Sequence, residues 1–541
     1  NLGCLGNRPL HDPYKKNGIN SMLLHQPIDY HAERRPTHAA LNGHDFEWDY
    51  RTLVDRSHTI ARLLLDAGVK REDRIGVLGL NSAAYFAILL GASRIGAVTV
   101  SVNFRLAPAE LAFVLDDAQV DILFVTDDSI DATITQTIAI RELPTRLIAN
   151  RSDAFLTLST AINQEVEPYR EIGQVDEHSP ALQLYTSGTT GKPKGAVLSH
   201  RNILSLTQMM GIANDGAYNA DTINLVVAPL FHIGGTGVAY IGLAYGAHNI
   251  LHEAFDPLRV VETIQAQSVT SMFMVPAMIQ AIVKLVPNVR DYDFSSLENI
   301  AYGASPISAT LLEEALEVFD SRFSQVYGMT ETSGTVIALS PEDHEKAIAG
   351  SPHLLTSCGK ACPGNEVKIV DAQGTELGPN QTGEICLRSA SNMLEYFNRP
   401  QATAETLIDG WVMTGDAGTI DEEGYIYLRD RLKDMVVTGG ENVYPVEVEN
   451  VLSGIPGVIE VAVIGIPDDT YGEALLAIFA LQPDHMIDAD DVVAFCRDKL
   501  AGFKIPRRVE CIAALPRNPS GKILKTTLRE PYWQGIERRI S

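Results

Sequence analysis

Apolar strands alternate with amphipathic helices from about residue 74 onward, and this alternation restricts the fold more than any other feature of the sequence. The segments 74–80 and 98–104 are typical of buried strands, and the segment between them is typical of an amphipathic helix. A further helix and strand are predicted within 107–127, and the alternation resumes near residues 181 and 269. Strands that alternate with helices form parallel βαβ units. The sequence therefore predicts an α/β fold with βαβ-built sheets in a large N-terminal domain.

A charged, glycine-punctuated stretch at residues 421–445 separates this region from a shorter one with a different pattern. Beyond it, two helix-like and two strand-like segments predict a small α+β unit. Domain boundaries fall in such polar linkers, where few contacts cross. We therefore predict a large N-terminal domain over residues 1–431 and a small C-terminal domain over residues 432–541.

The composition is that of a folded protein and disfavours several classes of partner. Hydrophobic residues make up 45% and charged residues 21% of the chain, as in ordinary globular proteins. The 43 basic and 68 acidic residues give a net charge of −25, so without a basic stripe no nucleic acid partner is expected. There is no apolar run of about 18 residues and no apolar leader segment, which predicts a cytoplasmic protein without an integral membrane segment.

Six cysteines are too few for a disulfide scaffold in 541 residues. Cys358 and Cys362 frame the sequence CGKAC, but no second Cys/His pair follows at the spacing of zinc ligands. Ordinary thiols are the expectation there.

The segment Leu184–Gly195, LYTSGTTGKPKG, directly follows an apolar strand. Its backbone N–H groups, hydroxyls and two lysines could bind a polyphosphate, and the alternative is a flexible surface turn. The P-loop pattern fails because Lys192 is followed by Pro193. The dinucleotide pattern around Gly235–Gly237 fails because position 240 is Tyr240.

This segment resembles the signature of the adenylate-forming enzymes, which include acyl-CoA synthetases, peptide-synthetase adenylation domains and luciferases. The resemblance covers nearly the whole chain, with later motifs in the family's order. It implies ATP, Mg²⁺ and coenzyme A as co-substrates, together with a small-molecule carboxylic acid. In the first segment it assigns nucleotide binding to Thr186, Ser187, Gly188, Thr189, Thr190, Gly191, Lys192 and Lys194.

Several later motifs resemble the rest of the family's nucleotide site. YGASP at residues 302–306 resembles the segment against which adenine lies, YGMTE at residues 327–331 resembles the segment that completes the site, and TGD at residues 414–416 matches the ribose-binding motif. By this resemblance Tyr327 stacks on adenine, Thr330 contacts the α-phosphate, and Glu331 ligates Mg²⁺, a cation that prefers hard oxygen ligands. Asp416 would accept both ribose hydroxyls, and Arg431 would donate from the other side. The full set implied in these regions is Gly303, Ala304, Ser305, Tyr327, Gly328, Met329, Thr330, Asp416, Arg431 and Lys522.

The sequence PLFH at residues 229–232, followed by several glycines, resembles the family's acyl-pocket segment. Relatives that activate amino acids have Asp where this chain has His232, so an amino acid substrate is disfavoured. Acetate-using relatives have a bulky Trp at the position of Gly328, so a larger pocket is expected here. The implied acyl pocket consists of His232, Ile233, Gly234, Gly235, Tyr302, Gly303 and Gly328, and His232 is also a candidate catalytic residue.

The C-terminal motifs resemble the moving parts of the family. Lys433 matches the hinge on which the small domain rotates. Gly439, Gly440 and Glu441 match the hairpin that lines the coenzyme A tunnel. Lys522 matches the catalytic lysine, which offsets the charges of the carboxylate and the α-phosphate as they react.

These motifs predict an AMP-forming acyl-CoA synthetase, with a medium- or long-chain fatty acid as the favoured substrate. An aryl or cyclic acid is the first alternative, and an acyl-AMP ligase that loads a carrier protein is the second. A nucleotide-binding sensor without activity is disfavoured by the retained Thr330, Glu331, Asp416, Arg431 and Lys522. A homodimer is compatible with the sequence, which fixes neither the oligomeric state nor the acid.

Overall fold

The computed structural model describes most of the chain. The described residues are 22–126, 137, 146–149, 162–163, 166–169, 175–186, 193–213, 218–305, 307, 309–439, 441–468, 470–483, 485–497, 499–517 and 523–534.

The strands of the described residues belong to four sheets. In chain order they are β1 (Ala39–Asn42), β2 (Glu47–Asp49), β3 (Arg74–Leu78), β4 (Val98–Val102), β5 (Val120–Val125), β6 (Arg146–Ala149), β7 (Pro180–Thr186), β8 (Lys194–Ser199), β9 (Ile223–Val226), β10 (His248–Leu251), β11 (Ser271–Met274), β12 (Asn299–Gly303), β13 (Arg322–Met329), β14 (Gly334–Leu339), β15 (Lys360–Ala361), β16 (Glu366–Val370), β17 (Gly383–Arg388), β18 (Glu395–Tyr396), β19 (Leu407–Ile408), β20 (Trp411–Ile420), β21 (Ile426–Arg431), β22 (Val436–Thr438), β23 (Glu441–Val443), β24 (Val458–Asp468), β25 (Gly472–Leu481) and β26 (Arg508–Cys511).

Helices lie between the strands in sequence. They are α1 (Gln26–Arg34), α2 (Tyr50–Asp66), α3 (Ala83–Ile95), α4 (Pro108–Asp117), α5 (His200–Ala213), α6 (Ile233–Tyr245), α7 (Pro257–Gln267), α8 (Pro276–Leu285), α9 (Ala309–Phe319), α10 (Pro341–Ile348), α11 (Pro400–Thr406), α12 (Pro445–Leu452), α13 (Ala489–Cys496) and α14 (Lys525–Arg529).

Two mixed sheets form most of the large N-terminal domain. The first has the order β15-β14-β13-β12-β11-β9-β10-β1-β2, and the second has the order β18-β8-β7-β4-β3-β5-β6. Their central strands run parallel, whereas β14, β15, β2, β8 and β18 are antiparallel additions at the edges. Every residue of β4 is buried, as expected for a strand covered on both faces by helices.

Two smaller sheets complete the described part of the chain. The third is antiparallel, and the fourth is antiparallel except for the parallel pair of β25 and β26. The third sheet has the order β16-β17-β20-β19, with β21 also paired to β20. The fourth has the order β23-β22-β25-β24, with β26 beside β25. The core of this fourth sheet, where Val436, Val463 and Phe479 are buried with α12 and α13, forms the smaller C-terminal domain.

The fold class predicted from the sequence is confirmed: a large α/β domain of βαβ-built sheets precedes a small α+β domain. The predicted strand–helix–strand unit beginning at residue 74 is β3, α3 and β4. The stretch 421–445 is more regular than a linker, because it contains β21, a 3₁₀ turn at Leu432–Asp434, and the hairpin of β22 and β23. The boundary at residue 431 stays a prediction.

None of the helices in the described ranges combines the length and the apolar character that crossing a membrane requires.

Candidate active site

The predicted phosphate segment lies at the end of the β7–β8 hairpin. The paired strands end with Thr186 opposite Lys194. Residues 187–192 between them, which include Ser187, Gly188, Thr189, Thr190, Gly191 and Lys192, lie outside the described residues. The ammonium group of Lys194 lies 4.9 Å from the centre of the Tyr396 ring, a cation–π distance. The hairpin therefore brings one lysine of the predicted phosphate segment next to a tyrosine far along the chain.

Tyr327, Asp416 and Arg431 form one hydrogen-bonded group. The Tyr327 hydroxyl donates to Oδ2 of Asp416 at 2.7 Å, and Nε of Arg431 lies 3.1 Å from Oδ1 of the same carboxylate. Asp416 and Arg431 are direct partners of the β20–β21 pairing, so the strand register itself brings the two charges together.

The electrostatics of this group favour its hydrogen bonds. Burial and the Asp416 charge raise the pKa of Tyr327, so the phenol remains a donor at neutral pH. The neighbouring Asp416 raises the pKa of Arg431. The group therefore offers a buried carboxylate held between two donors, which suits a ligand with vicinal hydroxyls.

The loop before Asp416 is fixed by contacts that the sequence motif does not reveal. Gly415 has a φ of 69°, a left-handed conformation that favours glycine. Its N–H donates to Oε1 of Glu384 at 2.8 Å, and the Asp416 N–H donates to the Thr414 hydroxyl at 3.0 Å. Burial raises the pKa of Glu384. Glu384 thus orients this loop, and no sequence signal singled it out.

Glu331 lies in a 3₁₀ turn, Thr330–Thr332, that directly follows β13. Its side chain is buried, and its Oε1 accepts a 2.6 Å hydrogen bond from the Tyr396 hydroxyl. The pKa of Tyr396 is raised by burial and then by the Glu331 charge. Because Tyr396 also contacts Lys194, it connects the phosphate hairpin to the carboxylate predicted to ligate magnesium. Tyr396 is a second site residue that the sequence did not identify.

Close backbone approach explains three of the glycines in the predicted site. A Cβ on Gly328 would lie 1.8 Å from the carbonyl oxygen of Gly334, where β13 and β14 pair irregularly. A Cβ on Gly303 would lie 2.1 Å from the carbonyl oxygen of Val326, and one on Gly235 would lie 2.2 Å from that of Pro229. The structure therefore gives Gly328 a backbone role, and the larger pocket inferred from it stays a prediction.

The predicted adenine segment follows β12. Ala304 has a φ of 67°, and Ser305 continues the turn after the strand. The side chain of Tyr302 is fully buried, and its hydroxyl lies 3.0 Å from Nε2 of His344. This packing makes Tyr302 a core residue through its side chain, so a contact with an acyl group could come only from its backbone.

The predicted acyl segment begins α6. His232 is the residue before the helix, and its ring centre lies 4.4 Å from that of Phe231. Gly234 approaches Phe273, with 3.2 Å between an added Cβ and the ring edge. Ile233 lies beside Gly334, whose added Cβ would be 3.6 Å from the Ile233 side chain. Because Gly334 pairs with Met329 between β13 and β14, the acyl segment and the segment containing Tyr327–Glu331 are neighbours.

The predicted hinge and coenzyme A residues lie in the small sheet or directly before it. Lys433 belongs to the 3₁₀ turn between β21 and β22, and burial lowers its pKa. Gly439 and Glu441 are exposed at the turn of the β22–β23 hairpin. Gly440 and the predicted catalytic residue Lys522 lie outside the described residues.

Comparison with known proteins agrees with this geometry. Residues 28–397 match the model of the AMP-binding enzymes, and residues 447–522 match the model of the AMP-binding enzyme C-terminal domain. A fatty acid–[acyl-carrier-protein] ligase of Streptomyces coeruleorubidus is 38% identical over 96% of this chain and 98% of its own length. A feruloyl-CoA synthase of an Amycolatopsis species is 38% identical over 89% of this chain and 94% of its own length.

A solved structure shows the same likeness. The o-succinylbenzoate CoA synthetase of Bacillus subtilis, in complex with its acyl-adenylate intermediate, superimposes with a TM-score of 0.82 and 29% identity. The superposition covers 94% of this chain and 98% of the solved chain. This chain belongs to the AMP-binding enzymes, the adenylate-forming superfamily, and is an acid–thiol ligase. The resemblance inferred from the sequence is thereby confirmed, and ATP, Mg²⁺ and coenzyme A are confirmed as the co-substrates that the family implies.

Proposed function

We propose that this ligase activates a medium- or long-chain fatty acid with ATP and transfers the acyl group to coenzyme A. The observation that carries the proposal is the proximity of two groups, Tyr327–Asp416–Arg431 and Lys194–Tyr396–Glu331. The Glu331 charge contributes to the raised pKa of Arg431, so the two groups lie within electrostatic reach. A carboxylate suited to ribose and a carboxylate suited to magnesium thus occupy one site.

In the first half-reaction a substrate carboxylate oxygen attacks the α-phosphorus of ATP, and pyrophosphate leaves with its magnesium. Asp416 would hold the ribose hydroxyls, with Tyr327 and Arg431 fixing its orientation. Glu331 supplies a hard oxygen that fits Mg²⁺, and Lys194 and Lys522 would stabilise phosphate charge. Because two anions react, positioning and charge stabilisation supply the catalysis.

In the second half-reaction the thiol attacks the acyl carbonyl, and AMP leaves. The small domain would rotate about Lys433, which withdraws Lys522 and brings the hairpin of Gly439, Gly440 and Glu441 to the acyl-adenylate. No covalent enzyme intermediate is needed, because the adenylate itself is the activated acyl group.

The fatty acid is proposed on two grounds. His232 replaces the carboxylate that would hold a substrate amine, and the apolar rings of Phe231 and Phe273 lie beside His232 and Gly234, respectively. A relative at 38% identity is named for a fatty acid. The feruloyl-CoA synthase relative has the same identity, so an aryl acid is the alternative substrate class.

A panel of acids tests this proposal directly. AMP release that depends on coenzyme A would be measured with saturated fatty acids of increasing chain length, with aryl acids and with amino acids. We expect the highest kcat/KM for a medium- or long-chain fatty acid. If kcat/KM is highest for an aryl acid, an aryl acid replaces the fatty acid as the substrate class. Activity with amino acids alone would contradict both substrate classes.

The carrier-protein relative also gives a specific alternative for the thiol. The same fatty acid would be supplied either with coenzyme A or with a phosphopantetheinylated acyl carrier protein. We expect acyl-CoA as the main product. Acylated carrier protein without acyl-CoA would instead make the chain a carrier-loading ligase.

A further inference from the structure

A buried carboxylate lies next to the predicted hinge and faces the small domain. Asp430 precedes Arg431 in β21, and its side chain is only 4% exposed. Successive side chains of a strand point to opposite faces. Since Arg431 points toward Asp416, Asp430 points the other way. Its Oδ2 accepts the N–H of Val446 at 3.0 Å and lies 3.7 Å from Nζ of Lys525.

Lys525 has a second partner that belongs entirely to the small domain. Its Nζ lies 2.8 Å from Oε1 of Glu449 in α12, and that oxygen also accepts the N–H of Val463 at 2.7 Å. A buried charge is costly unless it is paired. Lys525 therefore stays paired with Glu449 if its contact with Asp430 is broken.

Another ion pair near the hinge lies on the C-terminal side of Lys433. Arg529 of α14 pairs with Asp434 and donates to the carbonyl oxygen of Lys433 at 3.2 Å. Asp434 follows the hinge in sequence, so this pair would move with the small domain. A rotation at Lys433 would separate Asp430 from Val446 and Lys525. It would leave the Lys525–Glu449 and Arg529–Asp434 pairs intact.

The domain arrangement in the structure fits the first half-reaction. Gly439 and Glu441, predicted for the coenzyme A tunnel, are exposed to solvent. The domains also touch where the Gln280 side chain in α8 donates to the Ile459 carbonyl in β24 at 3.3 Å.

We propose that Asp430 is a positioning residue whose contacts with Val446 and Lys525 hold the small domain in the arrangement that forms the acyl-adenylate. The inference rests on the proposed function, because it assumes rotation about Lys433. Asp430 also accepts the N–H of Arg431 at 2.7 Å, so one carboxylate links the nucleotide side of β21 to the small domain.

The first test separates the two half-reactions in Asp430→Asn. Adenylate formation would be followed by pyrophosphate release without coenzyme A, and thioester formation would be followed with supplied acyl-adenylate. We expect the ratio of the first rate to the second to fall roughly tenfold. Equal loss in both rates, or no change in the ratio, would overturn the proposal. If the parent chain forms no acyl-adenylate, the proposed function fails instead.

Lys525→Met tests the same contact from the other side, and Glu447→Gln is the matched control. Glu447 lies in α12 and pairs with Lys504 within the small domain at 2.7 Å, so its loss should leave the ratio unchanged. The double variant Asp430→Asn/Lys525→Met should show the same ratio of half-reaction rates as either single variant, because both substitutions remove the same Asp430–Lys525 contact. Additive effects would contradict a shared contact.

A structural readout distinguishes positioning from general destabilisation. Cysteines introduced at Gln280 and Ile459, in a Cys4→Ser/Cys511→Ser background, would report the observed domain contact by cross-linking. Asp430→Asn should lower the cross-linked fraction severalfold relative to Glu447→Gln at equal thermal stability. An unchanged fraction would reject Asp430 as the residue that holds this arrangement.

Discussion

The hydroxyl of Tyr396 donates a 2.6 Å hydrogen bond to Glu331, a residue 65 positions earlier in the sequence. The ammonium group of Lys194 lies over the face of the same tyrosine ring. One side chain therefore orients a carboxylate through its hydroxyl and a lysine through its ring.

We expect Tyr396→Phe to slow adenylate formation roughly tenfold to a hundredfold, since a hydrogen bond to a charged group contributes about 1.5–3 kcal/mol. The ring and its contact with Lys194 would remain. If the hydroxyl orients Glu331, the Mg²⁺ concentration for half-maximal rate should also rise. Tyr50→Phe, which loses a buried 2.8 Å hydrogen bond to Ala247, is the control and should leave the Mg²⁺ dependence unchanged.

Asp416→Asn should raise the KM for ATP at least tenfold. The amide cannot form the ion pair with Arg431, and its single oxygen cannot replace both carboxylate oxygens as acceptors for Tyr327 and Arg431. Steady-state kinetics at saturating acid would measure this change. A KM for ATP equal to that of the parent would remove Asp416 from the nucleotide site.

Gly328→Ala should lower the free energy of unfolding by about 1–3 kcal/mol, the usual cost of overpacking. The added Cβ would meet the carbonyl oxygen of Gly334, and a backbone atom yields less easily than a side chain. Gly502→Ala is the matched control, since no heavy atom lies within 4 Å of its added Cβ. Thermal unfolding of both variants, compared with that of the parent, shows whether the β13–β14 pairing requires glycine at position 328.

Lys522→Ala should abolish adenylate formation and largely spare thioester formation from supplied acyl-adenylate. The physical reason is that Lys522 is proposed to stabilise charge only in the first half-reaction. The two rates, measured separately on one preparation, provide an internal control. Equal loss of both would contradict the division of labour between the two domain arrangements.

The stability of Asp430→Asn relative to the parent should depend on pH. Burial raises the pKa of Asp430 to about 6, with Lys525 acting in the opposite direction and Glu449 and Asp434 raising it further. The folded parent therefore binds a proton that the unfolded chain releases near its ordinary pKa of about 3.9, so the parent loses stability between these values as pH rises. The variant lacks this loss. The unfolding midpoint of Asp430→Asn should rise relative to that of the parent from about pH 4 to about pH 6. A difference that stays constant over this range would refute the assignment of the raised pKa to Asp430.

Local patterns were sufficient to predict the framework of the protein. The strand before the phosphate segment and the strand–helix–strand unit that begins at residue 74 both follow from residues close together in the sequence. Such signals depend on hydrophobic periodicity and on glycine at turns, which is why β3, α3 and β4 were predicted at nearly their observed positions.

The supporting residues could not be predicted in the same way. Tyr396, Glu384 and Asp430 act on partners that are distant in sequence or belong to other elements of the fold, and a single tyrosine or carboxylate has no sequence signal for such a contact. Gly328 shows the opposite limitation, because its motif suggested a pocket whereas the strand pairing supplies a backbone reason for the glycine. In both cases the role of the residue depends on tertiary contacts that a sequence motif does not reveal.

The β21 strand has one further consequence. Its six residues present Arg431 to the nucleotide side and Asp430 to the small domain. If the domain arrangement changes the affinity for nucleotide by some factor, bound nucleotide must bias the arrangement by that same factor, since the coupling free energy is reciprocal. The conversion of ATP to AMP during turnover would then itself supply a thermodynamic bias for the domain rotation. This bias would be transmitted through the adjacent residues Asp430 and Arg431.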